Sequence, residues 1–466
     1  MGFYKMNKIG SIKTYTSDQI CRSRISVGFE CLDRDMFKPE KCYDAMFEAG
    51  IKYARVQTGW AKCEKQKGIY DFAWLDCIVD ELLKRDIQPW FNVGFGNSLY
   101  MDSPTQAAVG CVPTLYGEEA TLAWQNFVRA MTEHYKDRIF EYEIWNEPNI
   151  QHFWHPEQPD PKKFSAFFSM TAKIIRNVFP NAKIILNIAE INTLDYIDAV
   201  FKQIEKNEAD IFAFHHYGRF PELGYFQYMN TLRNILKKYG HTKTVVWQGE
   251  AGMPSWSPQG HGLRLDPNAV DERRQAVYLL RRFALDHASG CERTSFFQMA
   301  DMMEKPYPMA KLIQNSPARH GLLNGLTYTK KKSFEAMQIA STVFSGDICV
   351  TDKLFWGKIH ENNTDAGLLA ACYSFSRNGH DMFLYYRKSD IGLAQRTVWD
   401  FEVYLNGLEG EMTIQNPVVI DMFTGDVFEI DSHQIDYWRG NMCIHDLPFA
   451  DYPCIICDKS DFEFIM

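Results

Sequence analysis

The 466-residue chain has no surplus of positive charge: 50 Lys and Arg stand against 59 Asp and Glu, a formal net charge of -9. A polyanionic partner such as nucleic acid is therefore not expected. No apolar run is long enough to span a bilayer, so no membrane partner is expected either. The opening stretch, Met1 to Thr16, carries Lys5, Lys8 and Lys13 and lacks the apolar centre of a secretory leader; the expected location is cytoplasmic. There is no His-Glu-x-x-His or similar ligand spacing, and Gly28-Phe29-Glu30 lacks the further glycines of a dinucleotide-binding loop, so neither a metal nor an organic cofactor is called for. The 12 cysteines are scattered rather than patterned, as suits small buried hydrophobes in a reducing compartment. Cys454-Ile455-Ile456-Cys457 has the gap of a metal or redox pair, but it sits in a strand pattern, where residues three apart face opposite ways.

What the chain does contain is rhythm. Hydrophobic residues make up 46% and charged residues 23%, enough for a large core. From residue 25 to 344, strand and helix patterns alternate eight times. Strands are predicted at Ile25 to Glu30, Ile51 to Thr58, Ile87 to Val93, Ile139 to Ile144, Lys183 to Ile188, Asp210 to His216, Lys243 to Gly249 and Arg293 to Gln298. Between them lie apolar stripes at helical spacing, such as Trp74, Leu75, Ile78, Val79, Leu82 and Leu83, and Phe164, Phe167, Phe168, Thr171, Ile174, Ile175 and Val178. Eight such units predict an α/β fold, a closed (β/α)8 TIM barrel, over an open doubly wound sheet. Beyond Ser345 short alternating strands take over, with turns at Asn406-Gly407 and Thr424-Gly425-Asp426, and predict a β-sandwich over 345–466. Residues 1–24 read as a tail, with room to pack on that second domain.

The richest stretch is Glu143-Ile144-Trp145-Asn146-Glu147-Pro148-Asn149. A strand rises to Trp145 and is stopped by Pro148, whose nitrogen has no proton for a ladder bond. Asn146 and Glu147 are thereby delivered to the C-terminal edge of strand 4. The alternative for such a residue is a loop glutamate in a surface ion pair. A second carboxylate, Glu250, ends strand 7 in Trp247-Gln248-Gly249-Glu250. Strands 4 and 7 of a ring of eight can aim their tips at each other across the mouth. Two facing carboxylates are the apparatus for cleaving a glycosidic bond.

Trp145-Asn146-Glu147-Pro148, with Glu250 after Trp247-Gln248-Gly249, resembles the clan A glycoside hydrolases, and the barrel-plus-sandwich layout is most similar to family 39. That resemblance implies a retaining β-glycosidase acting on terminal β-xylosides, β-glucosides or β-galactosides. It makes Glu147 the acid/base, starting with its proton, and Glu250 the nucleophile, with the carboxyl groups roughly 5 Å apart. Asn146 would bond the sugar 2-hydroxyl, and Arg55, inward with Tyr53 by parity, would orient the nucleophile. His215 and Tyr217 share a face opposite Phe212, Phe214 and His216, match the clan's His-x-Tyr, and would line the barrel with Tyr217 near Glu250. Trp60, Trp90, Trp247 and Trp256 are candidate sugar platforms or plain core. Asn92 and Gln298 stand near strand ends where they could bind hydroxyls, and Glu143 faces inward at a deeper level. An endo-acting glycanase and a carbohydrate-binding barrel without catalysis are the alternatives. The expected partner is an oligosaccharide or small glycoside, and a homo-oligomer is possible.

Overall fold

In the computed structural model, residues 6–189, 193–256, 269–302, 318–359, 369–392, 398–406, 413–438 and 441–465 are described below. Gly407 of the Asn406-Gly407 turn and residues 257–268 of the segment after strand 7 lie outside them. Eight parallel strands close into a barrel: Ile25–Gly28, Tyr53–Gln57, Gln88–Val93, Glu141–Ile144, Lys183–Ala189, Ile211–His215, Val245–Ala251 and Arg293–Phe296. The ring is sealed where Thr294 of barrel strand 8 pairs with Ile25 of strand 1. Helices follow the strands. The helix Glu118–Tyr135 buries Ala120, Ala123, Trp124, Phe127, Val128 and Met131 along one face. The helix Leu194–Phe201 ends where Val200 and Phe201 complete its buried face, since Lys202 to Lys206 offers it no apolar residue but Ile204.

Alternation along the strands sorts side chains into layers. The lowest layer inside the barrel is apolar: Trp90, Ile185, Ile211, Ala213 and Trp247, with Tyr53 and Val245 at its margin. Two residues further along the same strands, one layer up, stand Asn92, Asn187, His215 and Arg55, all fully buried. The fold thus places a polar stratum on an apolar floor, and the site is built in that stratum.

Two antiparallel sheets make the C-terminal sandwich. The larger runs Ile348–Val350, Ala370–Arg377, His380–Arg387, Cys454–Asp458, Pro417–Asp421, Asp426–Glu429, Lys8–Ile12 and Phe464–Ile465; the smaller runs Phe355–Ile359, Val398–Asn406, Asn441–Phe449 and Ile435–Trp438. An N-terminal strand, Lys8–Ile12, therefore lies between two C-terminal ones. Cys454 and Cys457 are free and buried in one strand of this domain. Among the described residues no helix is long and apolar enough to cross a membrane.

Candidate active site

The last turn of strand 4 breaks its own alternation. Glu143 faces the barrel interior, where it meets Arg55. Parity would then send Trp145 inward as well, but Trp145 has φ +68° and Glu147 φ +47°. These left-handed residues rotate the chain, an arrangement that costs free energy and is held by the surroundings. Trp145 swings outward among Phe95, Trp124 and Phe167, with its indole donating to the Phe153 carbonyl at 2.7 Å. Asn146 takes the inward direction. Two asparagines hold the turn: Asn92 donates to the Trp145 carbonyl at 2.5 Å, and Asn187 donates to it at 2.7 Å while accepting from the Glu147 amide at 2.7 Å.

Strand 7 changes parity too. Trp247 is on the apolar floor, so Glu250, three residues on, would face the helices in a regular strand. A register shift prevents this: Phe214 pairs with Gln248 and the next residue, His215, pairs with Glu250. Gly249 is the extra residue of a bulge. A side chain there would meet the Ala213 Cβ at 3.0 Å and His215 Nε2 at 3.2 Å. The Gln-Gly-Glu lead-in is what turns the carboxylate into the barrel.

Glu147, His215 and Glu250 end up together, one polar atom of each lying within 4.8 Å of the others. Arg55 is the hub below them. Its Nη1 donates to Glu250 Oε2 at 2.6 Å and pairs with Glu30 Oε2 at 2.9 Å, its Nε donates to Glu143 Oε2 at 2.7 Å, and its Nη2 donates to Asn146 Oδ1 at 2.8 Å. Tyr217 donates to the other oxygen of Glu250 at 2.6 Å. His215 Nδ1 is 2.8 Å from Glu147 Oε1 and 3.7 Å from Glu250 Oε2, and its Nε2 is 3.8 Å from Glu143 Oε1.

The electrostatics follow. Burial pushes the His215 proton off, but the charge of Glu250 and the hydrogen bonds with Glu143 and Glu147 outweigh it and lift its pKa to about 10. His215 is therefore an imidazolium at neutral pH. Burial also raises Glu30, to about 8, against the pull of Arg55 and with help from the charge of Glu250. Glu143 is buried too, yet Arg55 and His215 hold its carboxyl below the usual range.

The remaining candidates separate cleanly. His215 meets both carboxylates, Arg55 and Tyr217 meet Glu250, and Asn146 joins them through Arg55. Asn92 is spent on Glu143, at 2.8 Å, and on the Trp145 carbonyl, so it braces the motif rather than offering its amide N–H to a sugar. Trp60 is not a platform. It is fully buried between Tyr100, Phe127 and Trp124, and its indole donates to Glu64 at 2.5 Å. Trp247 is not one either: it lies on the floor against Trp90, with the Arg293 guanidinium 3.9 Å above its ring. Trp90 is closed off in the same layer and donates to Ser26. In both cases the cause is depth, one strand layer below the mouth. Trp256 is half-buried in a two-residue ribbon with Asp271. Gln298 is fully buried beside Gly28, and neither polar atom of its amide has a hydrogen-bond partner among the described residues.

Sequence reasoning missed Glu30 and Asn187. Glu30 closes the predicted first strand, and a carboxylate at that edge was the available signal. For Asn187, the signal was an amide inside an otherwise apolar strand, Lys183 to Ile188. Over the ends of strands 1 to 3 opens a cavity of about 370 Å³ lined by Asp33, Arg34, Lys62, Lys65, Phe95 and Gln106 among others; neither Glu147 nor Glu250 lines it.

A closed parallel barrel with facing carboxylates on strands 4 and 7 places the protein in the glycoside hydrolase class. The sequence comparison gives the family: residues 40–421 match the model of the Glycosyl hydrolases family 39, and the chain belongs to that family. It is similar to a β-xylosidase of Geobacillus stearothermophilus, 24% identical over 133 residues that cover 26% of this chain. That match spans a quarter of the relative's length. Among solved structures, a family 39 glycoside hydrolase of Bacteroides cellulosilyticus WH2 superposes with a TM-score of 0.65 at 16% identity, over 96% of this chain and 83% of the other. A GH39 β-xylosidase of Caulobacter crescentus does so at 0.56 and 15%, over 97% of each chain. At these identities the likeness concerns the fold.

Proposed function

We propose that this protein is a retaining β-glycosidase that removes terminal β-linked sugars, with β-xylosides as the first substrate class to test. The observation that carries the reading is the approach of Glu147 and Glu250, of which one oxygen each lies within 4.8 Å of the other. Inverting enzymes need carboxyl groups roughly 6.5–9.5 Å apart to admit a water, whereas direct attack needs about 5 Å.

Glu250 is the nucleophile in this reading. Arg55 and Tyr217 each hold one of its oxygens, which fixes its direction. Glu147 is the acid/base. In the first step Glu147 gives its proton to the glycosidic oxygen, the bond from that oxygen to the anomeric carbon breaks, and Glu250 forms an ester with that carbon. In the second, Glu147 takes a proton from water, the water oxygen bonds to the anomeric carbon, and Glu250 leaves as a carboxylate. His215 is bonded to Glu147 through Nδ1 and fixes the direction of its carboxyl group. Asn146, oriented by Arg55, is placed to meet the sugar 2-hydroxyl, and the unspent amide of Gln298 is available to another hydroxyl.

The choice of β-xylosides is supported by the names of two relatives, the β-xylosidases of Geobacillus and Caulobacter. Hydrolysis of aryl β-xyloside, β-glucoside and β-galactoside, with the product anomer followed by NMR, tests both parts. The β-anomer should appear first, and release of the α-anomer would overturn the assignment of Glu250.

A further inference from the structure

Tyr217 stands on the segment 216–224 that follows strand 6, and most of what holds this segment comes from outside the barrel's polar stratum. At its start, Arg282 donates from Nη1 to His216 Nδ1 at 3.1 Å. Two residues past Tyr217 the sandwich takes over. Ile391 donates its amide to the Arg219 carbonyl at 2.7 Å, and Asp390 Oδ1 accepts from Arg219 Nε at 3.2 Å. The Arg219 guanidinium packs against Gly392, so that a Cβ on that glycine would overlap it. Further on, Glu222 Oε1 accepts from Arg281 Nε and from the Tyr386 hydroxyl, each at 2.9 Å, while Arg281 Nη2 donates to the Ser389 carbonyl at 2.8 Å.

Magnitudes rank these contacts. Arg219 and Asp390 are 38% and 40% exposed, and such a pair contributes little alone. Arg281 and Glu222 are 0% and 4% exposed, so leaving either without its partners is costly, and Tyr386 is buried with them. The Tyr217 hydrogen bond is 2.6 Å long, and a displacement of about 1 Å would end it.

We propose that the sandwich segment Tyr386–Gly392 is a latch that positions Tyr217, and through it Glu250. The second domain is then part of the catalytic apparatus, although its residues touch no substrate. Tyr386 and Gly392 are its positioning residues. The idea rests on the reading of Glu250 as nucleophile for its kinetic consequence, but not for its structural one.

The test uses the full chain with Gly392→Ala, which expels the Arg219 side chain, and Tyr386→Phe, which removes the bond to Glu222. Asp451→Asn is the control: it weakens a different contact between the domains, the ion pair of Asp451 with Arg273, and removes no hydrogen bond of Arg219, Glu222 or Tyr386. Two quantities are read: steady-state kinetics on an aryl β-xyloside, and amide hydrogen exchange of residues 216–224. The latch variants should lose about tenfold in kcat with KM little changed, and their exchange in 216–224 should quicken. Neither should slow a Tyr217→Phe enzyme further, because both act through that residue. Asp451→Asn should match the parent in both readouts. Unchanged exchange in both latch variants would overturn the proposal, and so would kcat losses that multiply with that of Tyr217→Phe. If the parent cleaves no glycoside, the functional reading fails, and the exchange result still decides the latch.

Discussion

Replacing Arg55 probes the site at its centre. The guanidinium is fully buried and faces three carboxylates whose side chains are 3%, 0% and 12% exposed: Glu30, Glu143 and Glu250. In Arg55→Met these groups lose their cation together. Glu30 already carries a proton at neutral pH, with its pKa near 8, so the charge left without its cation is that of Glu143, with only His215 to offset it. Removing one partner of a buried ion pair costs about 3–5 kcal/mol, and this should appear as a lowered urea midpoint at pH 7. The sign of its pH dependence is set by Glu143. Arg55 depresses that carboxyl, so the stability it contributes is present above the unfolded value and is lost as pH falls through the lower folded value. The gap between variant and parent should therefore narrow as pH falls, because carboxyls left without their cation can neutralise themselves by protonation. Activity has a separate signature. Arg55→Lys keeps the charge but cannot hold Glu143, Glu250 and Asn146 at once, so it should recover much of the stability yet still lose about 10²-fold in kcat on an aryl glycoside. An Arg55→Met protein within about 1 kcal/mol of the parent, or an Arg55→Lys enzyme with near-parental kcat, would refute the reasoning.

Three further outcomes are expected. Glu147→Ala should lose about 10²–10⁴-fold on substrates with poor leaving groups and far less on activated ones, with azide restoring turnover as a β-glycosyl azide; an α-azide would exchange the roles of the two glutamates. Glu30 and His215 both carry raised pKa values, about 8 and about 10, so each contributes stability that is complete below its unfolded value and fades as pH rises through its folded one. Urea midpoints should decline from about pH 4.5 to 10, and Glu30→Gln should flatten the lower part of that decline; an identical slope in the variant would remove Glu30 as its source. Trp60→Ala, which empties a fully buried site, should cost about 3–5 kcal/mol while leaving KM near its parental value, and a large rise in KM with unchanged stability would reinstate Trp60 as a sugar platform.

Much of the architecture was legible in one dimension. Eight alternations of period 2 and period 3.6 decide a barrel because each strand must be covered by the helix that follows it, and that constraint is local. Asn146, Glu147 and Glu250 could be put at strand ends by the same counting, and His215 with Tyr217 by parity. Counting failed where the chain departs from regular geometry. Left-handed Trp145 and the bulge at Gly249 each reverse the last side chain of a strand, and nothing in the residue types announces the direction. Depth was equally hidden. Trp247 and Glu250 share a strand, yet one belongs to the floor and the other to the mouth, because layers are set by how eight strands stagger around the ring.

The sequence by itself determined the order of elements, the two glutamates and the change of pattern after Ser345, since each is written in neighbouring residues. Only the tertiary structure decided that Arg55 gathers three carboxylates, that Glu30 joins them, that the strand Lys8–Ile12 completes a C-terminal sheet, and that Tyr386 and Asp390 reach the segment bearing Tyr217. Those contacts join residues tens to hundreds of positions apart. Their partners are selected by closure of the barrel and docking of the sandwich, and no local pattern encodes them.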